Sequence, residues 1–126
     1  MRHRVSGKKL GRSTGQRTGL RRTMVKQFFT NGRMQTTQAK AAFIRGEAEE
    51  LITIAKRSAQ GDDAAKVHAR RLVAARLGGA PEVVKKLFDD IGPRFANRNG
   101  GYTRVFHLGP RQGDAAEMVV LELVEE

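Results

Sequence analysis

The sequence predicts a two-layer α+β fold: helices on one side, a small, mostly antiparallel sheet on the other, and a basic, extended N-terminal tail. Three observations predict it. Apolar residues recur at helical spacing through the middle of the chain, and the period falls to two near its end. The opening stretch, MRHRVSGKKLGRSTGQRTGLRR, has eight Lys or Arg in twenty-two positions, no acid, and too little apolar surface to pack by itself. With 126 residues, one domain accounts for the length, and we divide it into a basic extension, residues 1–17, and a single α/β globular domain, residues 18–126.

The predicted order is helix, strand, three helices, two strands. Leu20, Met24 and Phe28 recur every four positions, flanked by Val25 and Phe29, and predict a short amphipathic helix over 18–29; Asn31-Gly32 supplies its left-handed stop. GRMQTT then reads as a short strand, with Met34 and Thr36 on one side and Arg33 and Gln35 on the other. Thr37 is placed to cap a helix over 38–57, whose inward stripe is Ile44, Ala48, Leu51 and Ala55. Asp62 or Asp63 caps a third helix reaching Leu77, with a weaker face of Val67, Val73, Ala74 and Leu77, ended by Gly78-Gly79. Pro81 suits the first turn of a fourth, carrying Val84, Leu87, Phe88 and Ile91, with Gly92-Pro93 as its stop. The final two segments, YTRVFHL and MVVLELV, alternate as strands do; in the last, Val119, Leu121 and Leu123 share a face opposite Glu122. A two-stranded hairpin is marginal alone, so GRMQTT is expected to add a third strand.

Charge sorts the chain more sharply than structure does. The net charge is +11, and twelve of the twenty-four Lys and Arg lie between Met1 and Arg45, before the first acid at Glu47; the other twelve face all thirteen acids. The excess is therefore N-terminal. No apolar run exceeds four residues, as in Met118–Leu121, which excludes a membrane-spanning helix, and a basic helix lying on a membrane would need more than Val5 and Leu10 on its apolar side. There is no Cys, hence no disulfide, thiolate ligand or thiol nucleophile. His3, His68 and His107 are scattered, and the neighbouring carboxylates Asp62-Asp63 and Asp89-Asp90 point to different sides of a helix and read as caps and solvated surface. Neither a phosphate-cradling P-loop nor a dinucleotide-binding Gly motif occurs. No enzyme, cofactor, metal or small-molecule substrate is expected.

Nucleic acid is the partner that rewards such a polycation, because phosphates release counterions to mobile cations and require no apolar face. Gly7, Gly11, Gly15 and Gly19, four apart, would let the backbone approach a ribose-phosphate chain, or are merely the spacing of a flexible tail. The basic side of the first helix, Arg17, Arg21, Arg22 and Lys26, continues the charge of the tail, and Arg33 follows on the strand. Farther on, Arg98, Tyr102 and Arg104 surround Gly100-Gly101: two guanidinium forks for phosphate and one ring that either stacks on an unpaired base or packs in the core. Composition leaves open whether the nucleic acid is RNA or duplex DNA.

MRHRVSGKKLGR, then GRMQTTQAKAAFIRGEAEELITIAK, and finally NRNGGYTRV resemble, in that order and over nearly the whole chain, the family of bacterial large-subunit ribosomal proteins numbered seventeen. The resemblance implies a cytoplasmic, non-enzymatic ribosomal constituent with the element order above. Its partners would be large-subunit ribosomal RNA and neighbouring ribosomal proteins near the nascent-chain tunnel exit. It carries the basic N-terminus onto Arg2, His3, Arg4, Lys8, Lys9, Arg12 and Arg17, and the later motif onto Arg98, Tyr102 and Arg104. The family often has His where this chain has Gln16 and Asn31, and a more charged run where it has Ala41-Ala42-Phe43.

Overall fold

A computed structural model describes residues 10–124. Helix α1 (Thr14–Asn31) leads into β1 (Arg33–Thr37), then α2 (Gln38–Ser58), α3 (Asp63–Leu77), α4 (Pro81–Lys86), a π-helical turn (Leu87–Ile91), a three-residue α5 (Gly92–Arg94), β2 (Thr103–Pro110) and β3 (Glu117–Leu123). The α+β class and the element order are those the sequence predicts.

Two helices differ from expectation in their bounds. The apolar period starts at Leu20, but α1 begins at Thr14, because Ser13 and Gln16 form a reciprocal capping box that satisfies the first backbone donors without any apolar residue. The fourth helix does not stop at Gly92-Pro93. At Leu87–Ile91 the backbone widens by one residue, Gly92 N–H bonding to Leu87 O, and the chain stays helical through Arg94. The inserted residue turns the inward stripe, so Phe88 is half-buried and Phe95 takes a fully buried place. Gly92 is a packing residue rather than a stop: a Cβ there would lie 3.1 Å from Leu87 O and 3.3 Å from Ala55 Cβ. On α3 the inward face is Ala69, Val73 and Leu77; Val67, predicted to join it, is exposed.

The sheet is wholly antiparallel with order β1-β3-β2, so the last strand is central and GRMQTT supplies the third strand as expected. Val119, Leu121 and Leu123 face the helices and pack with Phe28 and Phe29 of α1, Ile44 and Leu51 of α2, Val73 and Leu77 of α3, and Leu87, Ile91 and Phe95. This single core ties α1 to the sheet from both ends of the sequence. On the opposite face, Arg33, Glu122 and Arg104 form one cross-strand row and Gln35, Val120 and Phe106 the next.

Candidate nucleic-acid interface

Of the fourteen residues predicted to meet nucleic acid, Arg2, His3, Arg4, Lys8 and Lys9 lie outside the described residues. The others fall into two groups: one along α1, the other around the far end of the sheet.

Helix α1 is divided along its length. At steps of four, Arg17, Arg21, Val25 and Phe29 lie on one side of it, and only the second half of that side, with Met24 and Phe28, is buried. The first half therefore carries cations where the second carries core. Arg17 donates to Arg12 O at 2.8 Å and to the Thr14 hydroxyl at 3.2 Å, while Arg12 donates to Leu10 O at 2.9 Å, so both guanidinium groups brace the backbone leading into the helix. Arg21 lies over the Phe43 ring, 5.7 Å from its centroid, which gives the apolar residue in that part of α2 a partner. Arg22 reaches 3.4 Å to Ala75 O near the end of α3 and flanks the Gly78 turn. Arg21, Arg22 and Arg76 also line a shallow hollow with Glu47. Gly15 and Gly19 sit within the helix with nothing inside 4 Å of where a Cβ would be.

The ion pairs make the contrast between the halves of the chain. Arg70 pairs with Asp89 at 2.9 Å, Arg94 with Asp90 at 3.2 Å, Arg104 with Glu122 at 2.6 Å and Arg111 with Asp114 at 2.5 Å. Arg76 clamps α3 to α2 through Glu47 and Glu50, both at 2.9 Å. Its hydrogen bond lowers the Glu50 carboxyl below the usual range, against a small effect of burial, and the same bonds raise Arg76. Among the described residues, none of Arg12, Arg17, Arg21, Arg22, Lys26 and Arg33 pairs with a carboxylate. Their charge is left for something outside the protein.

At the second group, Tyr102 takes the packing alternative. It is 2% exposed, its ring 5.3 Å from Phe95, so it offers no face to a base. Lys56 Nζ donates to its hydroxyl at 3.0 Å and also to Arg98 O, and the Thr53 hydroxyl lies 3.3 Å away. Burial pushes the phenol up, but the bonds from Thr53 and Lys56, with the Lys56 charge, outweigh it and hold it below its ordinary value. Arg98 donates to Gly101 O at 3.1 Å and so closes the Gly100-Gly101 turn. Arg104 reaches across the sheet face, its guanidinium 5.2 Å from the Phe106 centroid.

Sequence reasoning missed which cations brace the fold. Arg45 donates to the Thr103 hydroxyl at 3.0 Å and to Thr103 O at 3.2 Å, while Glu49 accepts from the same hydroxyl at 2.9 Å and from Tyr102 N–H at 3.3 Å. This ties α2 to the start of β2. The signal available was the pair Arg45 and Glu49, one helical turn apart.

A family model described as Ribosomal protein L17 matches residues 20–124. A protein of Clostridium perfringens (strain SM101 / Type A) named Large ribosomal subunit protein bL17 is 50% identical over 117 residues, 93% of this chain and 96% of its own length. Proteins of the same name from Clostridium acetobutylicum and Clostridium botulinum (strain Hall) are 48% and 47% identical over the same shares. Matched over nearly its full described length, the chain belongs to the ribosomal protein L17 family, non-enzymatic structural constituents of the bacterial large ribosomal subunit.

Proposed function

We propose that this ribosomal constituent holds large-subunit ribosomal RNA through its basic N-terminal segment and the cationic first half of α1, while the α/β body serves as the rigid support. The observation that carries the reading is the absence, among the described residues, of any carboxylate partner for Arg12, Arg17, Arg21, Arg22, Lys26 and Arg33, beside the paired Arg70, Arg76, Arg94, Arg104 and Arg111. Six unneutralised cations in a stretch of twenty-two residues repel one another in the free protein, and a polyanion relieves that repulsion. Of the basic extension read as residues 1–17, Thr14–Arg17 belong to α1, and the part ahead of the Ser13 cap acts with those cations, contributing Arg2, His3, Arg4, Lys8 and Lys9. From the family resemblance alone, we further propose that the body sits among the proteins around the mouth of the nascent-chain tunnel.

Neutralising roughly eight phosphates gives a log–log salt slope near −5 to −7. The test is a salt titration of binding to large-subunit ribosomal RNA by the full chain and by a chain lacking residues 1–11, a truncation that leaves the Ser13 cap in place. Losing Arg2, Arg4, Lys8 and Lys9 should flatten the slope by about three units. An unchanged slope, or equal affinity for duplex DNA of the same length, would refute the reading.

A further inference from the structure

We propose that a hollow at the end of the sheet, apart from α1's cationic half, is a second RNA site, taking one backbone phosphate of an unpaired nucleotide. The hollow, of about 360 Å³, is walled by Arg33, Lys86, Arg94 and Arg104, with Glu122 as its acid. Those cations come from β1, α4, α5 and β2, so the fold and not a run of sequence assembles them.

Charge does not balance within it. Glu122 answers Arg104 through Nε at 2.6 Å, and Asp90 answers Arg94 through one Nη at 3.2 Å. Lys86 donates to a neutral acceptor, Thr30 O at 2.7 Å, and Arg33 is exposed with no side-chain partner among the described residues. Two positive charges are thus uncompensated, and each paired guanidinium keeps further N–H donors, since a guanidinium has five. Planar forks of this kind match the bidentate geometry of phosphate better than ammonium groups do.

The setting favours RNA over an acidic protein segment. Arg104 leaves the hollow along the outer face of the sheet and lies over Phe106, a residue 48% exposed. The nucleotide whose phosphate fills the hollow has beside it an aromatic and guanidinium surface on which a base can stack, a use to which antiparallel sheets lend themselves. A polyglutamate segment would fill the charge and leave that surface bare.

The inference rests on the protein being an RNA binder, and its test separates the two. Remove residues 1–11, which abolishes most leader binding, then compare the truncated chain with its Arg33→Gln/Arg94→Gln form for binding to large-subunit ribosomal RNA. Neither side chain is in the core, so thermal unfolding should be unchanged and confirms that both forms fold. The double variant should bind about tenfold more weakly, with a salt slope shallower by about one unit. Equal affinity and slope in the two truncated forms would overturn the second site while leaving the leader's role standing. Displacement of the RNA by polyglutamate at equal charge concentration would overturn the assignment to phosphate.

Discussion

Ser13 and Gln16 hold each other: the Ser13 hydroxyl accepts from Gln16 N–H at 3.2 Å, and the Gln16 side chain accepts from Ser13 N–H at 3.0 Å. That reciprocal pair is what lets a helix start in a stretch with no apolar residue. Ser13→Ala should fray the first turn of α1 and cost about 1 kcal/mol of helix stability. Hydrogen exchange at Gln16 and Arg17 should quicken while the buried amides of β3 keep their protection. Equal exchange in wild type and variant would mean the cap does not hold this turn.

Gly15 and Gly19 lie in regular helix with open space beside them. Ala at Gly19, in the helix interior, should stabilise the free protein by up to about 1 kcal/mol, and at Gly15, in the first turn, by less. The same substitutions should weaken RNA binding if the backbone there lies against ribose. Unfolding curves and binding curves on one pair of variants separate the effects: gain in both would show that these glycines serve no close approach.

Tyr102→Phe removes the hydroxyl that Lys56 and Thr53 reach. The ring stays, and the loss of a bond to a charged group should cost roughly 1–3 kcal/mol in denaturant unfolding. RNA affinity at low salt should be unaltered in the still-folded variant. A drop in affinity without a drop in stability would return Tyr102 to the interface.

Asp114 is bound by Arg111 through both guanidinium positions, at 3.1 and 2.5 Å, and accepts from Ala116 N–H at 3.1 Å. The Arg111 hydrogen bond is the main reason its carboxyl falls to about 2. Because the folded value is depressed, the contribution of this loop contact is present above the ordinary aspartate range and is lost as pH falls from about 4 towards 2. A carboxyl-carbon NMR titration should give a midpoint near that low value, and Arg111→Ala should raise it towards the ordinary aspartate range, short of it by what the Ala116 N–H bond retains. A midpoint unmoved by the substitution would exclude Arg111 as the cause.

The elements with a clean period were legible because burial imposes it: Ile44, Ala48, Leu51 and Ala55 are all buried as their spacing predicts, and Val119, Leu121 and Leu123 face the helices. What escaped has no period. The first turn of α1 depends on a polar pair, and after the π turn at Leu87–Ile91 Gly92 packs closely on Ala55, a contact across elements. At the interface the cations of α1 could be read from composition, since they have no acids near them in sequence. The bracing roles of Arg45 and Arg76, the burial of Tyr102, and the convergence of Lys86 and Arg94 on Arg33 and Arg104 could not, because each is decided by residues far away along the chain.

The position of β3 between β1 and β2 has a consequence for biosynthesis. Neither earlier strand has a hydrogen-bonded neighbour until Glu117–Leu123 has been made, and the helical layer lacks the surface that Val119 and Leu121 provide. The sheet can therefore close only once β3 has been made, long after the arginine-rich stretch that precedes it in the sequence. A released chain ending before residue 117 should therefore remain protease-sensitive, and one extended through Leu123 should be resistant.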